Sequence, residues 1–390
     1  MNRLEAIIKD EIRLKGEISF VQFMEMALYY PELGYYTSSK SKIGGDGDFY
    51  TSPDVDDLFG RLIGRQVVEM WEKLGNPSSF FLVEYGAGKG LLARDILTEL
   101  KSTSPALYDS LTYGIVEISP SLRQTQQKLL SAAGLAEGES SRVKVKWVDH
   151  IHDLSLGPIT GCIISNELID AFPVQLVQRR EEGVREGVVR LDENNNFIQE
   201  FSAPICKETE EFLQEGEIDL NVDQIIEVNR AGIKWLEEMS TALREGYVIT
   251  IDYGYLAKEL AVPHRFDGTL LCYEKHQVKE NPYENVGGRD ITAHVNFTSL
   301  MKYGEKFGLI NLGYITQGKF LLNMGVLNWL EEQSQLEFDL ERFRKNQRIK
   351  QLIMPGGMGD TFKVLVQGKG LGSAAKVLTS LKTGWFDGRK

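Results

Sequence analysis

Short apolar runs alternate with helical patterns through the middle of the chain. A Gly75-Asn76-Pro77 stop is followed by the runs FFLVEYG (80–86), LTYGIVEIS (111–119), VKVKWVD (143–149), GCIISNE (161–167) and YVITIDYG (247–254). Apolar runs of this length, separated by helical segments, are typical of a parallel sheet that is covered on both faces. The pattern therefore predicts an α/β fold built on such a sheet.

The flanking segments have other patterns. Residues 3–14 have helical spacing, and Ser19 stands before FVQFMEMALYY as the expected cap of a second helix. Residues 173–201 alternate apolar and polar positions, which predicts an antiparallel insertion on the sheet. Two late strand candidates, 309–316 and 360–368, bracket helical sequence.

Composition narrows the choice of partners. The chain has 390 residues, of which 42% are hydrophobic, and 56 acidic residues against 44 basic ones give a formal net charge of -12. This balance disfavours nucleic acid, because a phosphate backbone selects for basic surfaces.

The cysteine spacing and the lengths of the apolar runs indicate the cellular compartment of the protein. Cys162, Cys206 and Cys272 are far apart and form no C-x-x-C pair, so we expect neither a disulfide framework nor a metal site. The sequence starts without a signal-peptide pattern, and no apolar run approaches the roughly 18 residues of a membrane span. We expect a cytoplasmic protein with no membrane partner.

The loop EYGAGKG, which follows the first run, carries three glycines at alternate positions. A dinucleotide fingerprint that starts at Gly86 would need glycine where Leu91 stands, and a phosphate-binding P-loop would need glycine at Val83 and a hydroxyl at Gly90. What remains, E-x-G-x-G-x-G, resembles motif I of class I S-adenosylmethionine (SAM) methyltransferases. In such a loop the glycines let a ligand approach the backbone closely.

That resemblance implies roles for the acids that follow. Glu84 is expected near the ammonium group of SAM, directly or through water. Glu117, at the end of the second run, is expected to accept hydrogen bonds from the ribose hydroxyls, and Asp149, at the end of the third, to contact the adenine amino group. Solvated acids at strand ends are the alternative for Glu117 and Asp149.

Longer blocks match one family over nearly the whole chain. FMEMALYYPELGYY, GDFYTSPDVDDLFG, VEYGAGKG, SNELIDAFPV, ITIDYG, GTLLCYEKH, DITAHVNF and GGMGDTFKVLVQGKGL occur in the order in which they occur in the MidA-like family of SAM-dependent methyltransferases. The chain resembles that family, whose eukaryotic members are mitochondrial protein arginine methyltransferases that act on a complex I subunit. It departs from the family at Asp54, where Glu is usual, and at Asn296, where Asp is usual.

The resemblance implies an α/β, Rossmann-like class I SAM methyltransferase fold with a seven-stranded, mostly parallel sheet and an added α+β substrate or cap region. We expect four segments. They are an amino-terminal helical cap and lid loop (1–75), a SAM-binding core with a β insertion at about 173–225 (76–255), a substrate-side insertion (256–305), and carboxy-terminal core strands with inserted helices (306–390).

The fourth run ends in SNELIDAFPV, where we expect the chemistry. Asn166, Glu167 and Asp170 lie just past the carboxyl end of a strand, which is the edge where open α/β sheets bind ligands. If this segment is helical, Glu167 and Asp170 share one face. We expect these two acids to hold the substrate guanidinium and Asn166 to position it or the cofactor. A helix-capping Asn with ordinary first-turn acids is the alternative. His294 is a candidate base or substrate contact, with a structural role as its alternative.

GDFYTSP, residues 47–53, resembles a lid that places Phe49, Thr51 or Ser52 over the cofactor, with simple loop packing as the alternative. The predicted cofactor-binding set is Ser52, Glu84, Gly86, Gly88, Gly90, Glu117, Ile118 and Asp149.

The interpretation is a SAM-dependent methyltransferase that converts SAM into S-adenosyl-L-homocysteine and N-methylates arginine in a protein substrate, with homodimer formation left open. Three alternatives remain: a SAM-binding assembly factor with little turnover, a small-molecule methyltransferase, and a nicotinamide-dependent oxidoreductase, which Leu91 disfavours.

Overall fold

The computed structural model describes residues 2–38, 51–136, 144–334 and 339–382. In chain order the strands are β1 (Ile18–Ser19), β2 (Phe80–Tyr85), β3 (Leu111–Val116), β4 (Lys144–Val148), β5 (Ile159–Asn166), β6 (Gln175–Arg180), β7 (Gly183–Leu191), β8 (Phe197–Pro204), β9 (Ile225–Val228), β10 (Leu243–Tyr255), β11 (Leu271–Glu274), β12 (Gln277–Lys279), β13 (Asp290–Thr292), β14 (Val295–Asn296), β15 (Ile310–Thr316) and β16 (Phe362–Lys369).

The α-helices are α1 (Arg3–Lys15), α2 (Phe20–Tyr29), α3 (Ser52–Val55), α4 (Asp57–Lys73), α5 (Leu91–Thr103), α6 (Pro105–Ser110), α7 (Pro120–Ala132), α8 (Lys207–Glu215), α9 (Arg230–Ala242), α10 (Ala257–Leu260), α11 (Phe297–Lys306), α12 (Gln317–Asn323), α13 (Val326–Ser334), α14 (Leu340–Ile353) and α15 (Met358–Thr361). Within the described ranges, no helix is both long enough and apolar enough to cross a membrane.

The chain forms two compact units. Unit 1 comprises Met1–Phe49, Leu168–Glu237 and Gly254–Tyr303, and unit 2 comprises Tyr50–Glu167, Glu238–Tyr253 and Gly304–Lys390. These boundaries differ from the predicted segments, because α4 lies in unit 2 rather than with an amino-terminal cap. The amino terminus, the β insertion and residues 254–303 together make up unit 1.

Unit 2 is built on the parallel sheet that the apolar runs predict. Its strands follow the order β15-β16-β10-β5-β2-β3-β4. The neighbouring pairs from β10 to β4 are parallel, whereas β16 runs antiparallel to β10 and β15 antiparallel to β16. The carboxyl ends of β2, β3, β4 and β5 therefore share one edge of the sheet.

Apolar side chains hold the helices of unit 2 against this sheet. One buried cluster joins Ile63 of α4 and Ile96 of α5 to Tyr113, Ile164 and Val364 on three strands. The Asp56 side chain caps α4 by accepting a hydrogen bond from the Leu58 amide at 3.1 Å. The covered faces explain why these strands are near-continuous apolar runs in the sequence.

Unit 1 has antiparallel sheets of its own. One sheet has the order β1-β7-β6-β9 with β8 on β7, and another has the order β12-β11-β13. The prediction that residues 173–201 add to the central sheet is therefore wrong. The apolar face of these hairpins, including Val174 and Val189, packs instead with Phe20 and Phe23 of α2.

Ser19 caps α2 as the sequence predicts. Its hydroxyl oxygen accepts a hydrogen bond from the Gln22 amide at 3.3 Å, and the Gln22 side chain accepts one from the Ser19 amide at 3.3 Å. This reciprocal pair is a capping box. It fixes the start of the helix whose apolar side chains cover the hairpins.

Candidate functional site

The glycine loop connects β2 to α5 in unit 2. Gly86, Gly88 and Gly90 have φ angles of 62°, 52° and 85°, in the left-handed region that favours glycine. The Gly86 amide donates to the Val116 carbonyl at 3.0 Å, and the Gly90 amide donates to the Ala87 carbonyl at 2.7 Å. The loop is thus a turn in a conformation that favours glycine, and these backbone hydrogen bonds hold it.

Glu117 follows β3 at the same edge of the sheet. Its carboxylate accepts hydrogen bonds from the Ser119 amide at 2.9 Å and from Gln126 Nε2 at 3.1 Å. Burial raises the pKa of Glu117, while these two hydrogen bonds and the charge of Arg123 oppose the rise. The result is a positioned, mostly buried acceptor beside the glycine loop.

Gln126 of α7 joins this acceptor to the loop, and no sequence pattern predicts its role. Its Nε2 also donates to the Gly88 carbonyl at 2.9 Å, and its Oε1 accepts from Trp147 Nε1 at 3.0 Å. A polar residue in the middle of a helix carries no motif, so only the fold shows that it bridges three elements.

Glu84 lies at the carboxyl end of β2 and is 3% exposed. The Tyr113 hydroxyl donates to Glu84 Oε2 at 2.6 Å. Burial raises the pKa of Glu84 to about 7; the Tyr113 hydrogen bond opposes this rise, and the charges of Glu117 and Asp95 add to it. This carboxyl group therefore titrates in the neutral range.

Ile118 and Asp149 are more open to solvent. The Ile118 side chain is 56% exposed, directly after the buried Glu117. Asp149 follows β4, is largely exposed and forms an ion pair with Arg123. The structure thus gives an apolar surface at 118 and an acid at 149 that already has a cationic partner.

Asn166 and Glu167 end β5, which neighbours β2. Tyr85 of β2 is in register with Ser165 of β5, so the glycine loop and the Asn166–Glu167 pair leave adjacent strands at one edge. Glu167 Oε1 accepts hydrogen bonds from Asn166 Nδ2 at 3.0 Å and from the Ser52 amide at 2.8 Å. Asn166 Oδ1 is buried without a hydrogen-bond partner among the described residues.

Glu167 has a φ of 54°, and its amide donates to the Ile251 carbonyl at 2.9 Å. A left-handed backbone at a residue that is not glycine costs free energy, and such strain concentrates at functional sites. The condition that the segment 167–170 is helical is not met, because this left-handed residue turns the chain before the 3-10 turn Ile169–Ala171. Helical spacing therefore does not set the relation between Glu167 and Asp170.

Ser52 is buried at the start of α3. Its hydroxyl donates to Gln317 Oε1 at 3.1 Å, and Gln317 Nε2 donates to the Leu352 carbonyl at 3.2 Å. Thr51 donates to Asp54 from its amide at 3.2 Å and from its hydroxyl at 2.8 Å. Of the predicted lid, residues 47–50, including Phe49, lie outside the described residues.

Asp170 and His294 lie in unit 1. Asp170 is 5% exposed, and its backbone carbonyl accepts a hydrogen bond from the Ala293 amide at 2.9 Å. The next residue, His294, donates from its amide to Thr269 Oγ1 at 3.0 Å, and its ring centroid lies 5.5 Å from that of Tyr255. Unit 1 thus brings Asp170 and His294 onto hydrogen-bonded neighbouring segments.

This donor set suits SAM better than a metal or a phosphate ligand. Among the described residues, no group of three or more His, Cys, Asp or Glu side chains could hold a metal ion. A glycine turn, a buried carboxylate acceptor and an exposed Ile suit a ligand with no phosphate, two vicinal hydroxyls and a flat base. A bound SAM would supply a methyl group on a sulfonium, and the Glu84, Glu117 and Ile118 side chains would surround it.

Known proteins share this architecture and sequence. The chain is 29% identical to the mitochondrial protein arginine methyltransferase NDUFAF7 of Danio rerio over 375 residues, which cover 91% of this chain and 84% of that protein. The human protein of that name is 29% identical over 339 residues, which cover 81% of this chain and 72% of that protein.

Two crystal structures from Burkholderia thailandensis have the same fold. One is described as a "likely methyl transferase" bound to S-adenosyl-homocysteine; its TM-score is 0.85 at 29% identity, with 98% of this chain and 95% of that chain covered. The other is of an uncharacterized protein, with a TM-score of 0.82 at 31% identity and coverage of 98% and 94%.

The comparisons overturn the expected location. The relatives from Danio rerio, Drosophila melanogaster and Homo sapiens are all mitochondrial proteins. The prediction of a cytoplasmic protein is therefore wrong.

A family profile described as "Putative S-adenosyl-L-methionine-dependent methyltransferase" matches residues 62–315, well over half of the chain. This range includes the glycine loop, Glu117 and the Asn166–Glu167 pair. The activity is methyl transfer and the cofactor is SAM, as the sequence predicts. The chain belongs to this family of S-adenosyl-L-methionine-dependent methyltransferases.

Proposed function

We propose that this methyltransferase N-methylates arginine side chains of a protein substrate. The observation that carries the proposal is the Asn166–Glu167 pair, which lies beside the glycine loop at the edge of the sheet. A buried amide oxygen without a partner, next to a carboxylate, calls for a ligand with several N–H donors, and guanidinium is such a ligand. The relatives named protein arginine methyltransferases support the same substrate.

In this proposal Glu167 and Asn166 orient the guanidinium. Because arginine is protonated at neutral pH, a carboxylate must offset its charge while one nitrogen becomes nucleophilic. That nitrogen would form a bond to the methyl carbon as the carbon–sulfur bond breaks with its electron pair left on sulfur, and the nitrogen proton would pass to a protein base or to water. The products are methylarginine and S-adenosyl-L-homocysteine.

The cofactor roles form a second part of the proposal. Glu117 binds the ribose hydroxyls, Ile118 packs on the adenine ring and Asp149 lies near its amino group, while Glu84 attracts the ammonium group. Gly86, Gly88 and Gly90 admit the methionine portion. Ser52 contributes from α3, where its hydrogen bond to Glu167 links the cofactor and acceptor sides.

We also propose catalytic roles for two residues of unit 1, Asp170 as a second acid and His294 as a base or substrate contact. A pH–rate profile tests the base. If His294 takes the proton, His294→Gln lowers kcat and removes one limb of the profile; an unaltered profile contradicts the base role.

The strand order supports a finer assignment of the fold. The path β4-β3-β2-β5-β10-β16-β15 contains seven strands within the part of the chain that the structure describes, and only β16 is antiparallel to both of its neighbours. We therefore propose the seven-stranded class I arrangement for the core.

The experiment uses extract from cells that lack this gene, methyl-labelled SAM, and either wild-type protein or Glu117→Ala. Protein-bound label that acid hydrolysis releases as methylarginine, seen only with wild type, is the expected result. Label confined to small molecules would overturn the protein substrate. SAM binding without any labelled acceptor would favour a SAM-binding assembly factor instead.

A further inference from the structure

The carboxylate of Glu167 is held from outside its own strand. One of its oxygens accepts from the Ser52 amide at 2.8 Å, across 115 residues of sequence. The backbone of Glu167 is in the left-handed region, with a φ of 54°. A strained residue keeps one conformation only when its surroundings over-determine it. The donor at Ser52 is therefore part of what fixes this side chain.

Ser52 is in turn fixed by a buried glutamine. Ser52 and Gln317 are both fully buried, and the Ser52 hydroxyl donates to Gln317 Oε1 at 3.1 Å. Gln317 Nε2 donates to the Leu352 carbonyl at 3.2 Å, at the end of α14. A relay of hydrogen bonds thus runs from Leu352 through Gln317 and Ser52 to Glu167.

The same short helix is also tied to the glycine loop. Lys89, which lies between Gly88 and Gly90, forms an ion pair with Asp54 of α3 at 3.2 Å. Asp54 also accepts two hydrogen bonds from Thr51. α3 is therefore held by the Lys89–Asp54 ion pair to the glycine loop and by the Ser52–Gln317 hydrogen bond. From this helix the Ser52 amide donates to Glu167.

We propose that Ser52 and Gln317 are positioning residues that set the Glu167 carboxylate for the acceptor. The proposal rests on the proposed function where it concerns the acceptor. Neither residue need touch the substrate; each acts through Glu167. Alignment at the reacting centre governs rate steeply, so a small displacement of Glu167 lowers kcat more than it lowers SAM affinity.

Gln317→Met tests the relay, because methionine has a similar length and volume but neither polar atom. Gln367→Met is the matched control: Gln367 is also fully buried in unit 2, but it lies opposite Val248 inside the sheet and its Nε2 donates to Asn311 at 2.9 Å. Both variants lose a buried amide, so both lose stability to a similar degree.

Three quantities are measured for each variant: kcat with the extract acceptor, the Kd for SAM, and amide hydrogen exchange of residues 51–55 with S-adenosyl-L-homocysteine bound. We expect Gln317→Met to lower kcat about 10-fold, to leave the SAM Kd within about 2-fold, and to speed exchange at 51–55. Gln367→Met should leave all three near wild type. Equal kcat values for the two variants would overturn the proposal.

Ser52→Ala removes the hydroxyl that donates to Gln317 and keeps the backbone amide that donates to Glu167. We expect Ser52→Ala to lower kcat as Gln317→Met does, and the double variant to be no worse than either single one, because both remove the same link. Losses of kcat that multiply in the double variant would mean separate roles and would contradict the relay.

The exchange measurement separates this inference from the proposed function. If wild type labels no protein in the extract, the proposed function fails, and exchange alone then decides the relay. In that case faster exchange at 51–55 in Gln317→Met than in Gln367→Met supports the positioning of α3, and equal exchange overturns it.

Discussion

The glycine loop and the Asn166–Glu167 pair, which we propose as the cofactor end and the acceptor end of unit 2, lie on adjacent strands but are built differently. Around the glycine loop, Gln126 satisfies Gly88, Glu117 and Trp147 together, and positive φ falls on glycines. At the acceptor end, positive φ falls on Glu167, and Asn166 Oδ1 has no partner among the described residues. The Gln126 side chain thus has protein partners for its hydrogen-bonding groups. Asn166 Oδ1 can instead accept a hydrogen bond from a ligand.

The largest expected effect is at Glu117. If its carboxylate binds two ribose hydroxyls, Glu117→Ala removes two hydrogen bonds to a charged acceptor, at about 1.5 to 3 kcal/mol each. We expect the SAM Kd to rise roughly 100-fold or more in calorimetric titration. Asp149→Ala is the comparison. This exposed acid already pairs with Arg123, so the SAM Kd of Asp149→Ala should rise less than about 10-fold. A larger effect at 149 would reverse the proposed roles.

Gly90→Ala should have an intermediate effect. A Cβ at this position would lie 3.2 Å from Gln126 Cγ, in a backbone with a φ of 85°. We expect a loss of about 1 to 2 kcal/mol in the free energy of unfolding and about 10-fold weaker SAM binding, because Gln126 must shift.

Gly75→Ala is its control. Gly75 has a φ of 82°, but a Cβ there would meet nothing within 4 Å. Thermal melts and SAM titrations should show a similar loss of stability with an unchanged Kd. Weakened SAM binding in Gly75→Ala would mean that global strain, rather than the contact with Gln126, explains the Gly90 result.

The smallest expected effect is a pH dependence at Glu84. Its pKa is about 7 in the folded protein, so the carboxylate forms as the pH rises through neutrality, and in the proposed site it then attracts the SAM ammonium. The ratio of the Kd of Glu84→Gln to that of wild type should rise from near 1 at about pH 5.5 to several-fold at about pH 8. A ratio that does not change with pH would remove Glu84 from the ammonium site.

The free energy of unfolding should fall over the same pH range in which Glu84 strengthens SAM binding. The folded pKa lies above the ordinary value of 4.5, so the native state binds the proton more tightly than the unfolded chain does. This contribution is complete below about pH 4.5 and is lost as the pH rises through about 7. Melts without cofactor should therefore show wild type losing stability relative to Glu84→Gln over that range.

Local pattern was enough to predict the central strands and the α/β sheet. The five apolar runs correspond to β2, β3, β4, β5 and β10, because strands covered on both faces must be apolar throughout. The same pattern placed the 173–201 hairpins on the wrong sheet. Alternation shows that a strand has one buried face, but it does not show which element covers that face.

The acceptor end was less predictable because its geometry is tertiary. The left-handed turn at Glu167 depends on contacts with Ile251 and Ser52, and the link from Ser52 to Gln317 joins residues 265 positions apart. The spacing of Glu167 and Asp170 would place both on one face only in a helix, and the structure has a turn there. The glycine spacing was easier to interpret, because glycine adopts positive φ readily whatever its tertiary contacts.

Titration of SAM into Glu167→Gln, next to methyl transfer by the same preparation, is the most direct test of the division between the two ends. If Glu167 serves the acceptor, the SAM Kd stays within about 2-fold of wild type while kcat falls roughly 100-fold. A Kd weakened as far as that of Glu117→Ala would contradict the division and place Glu167 in the cofactor site.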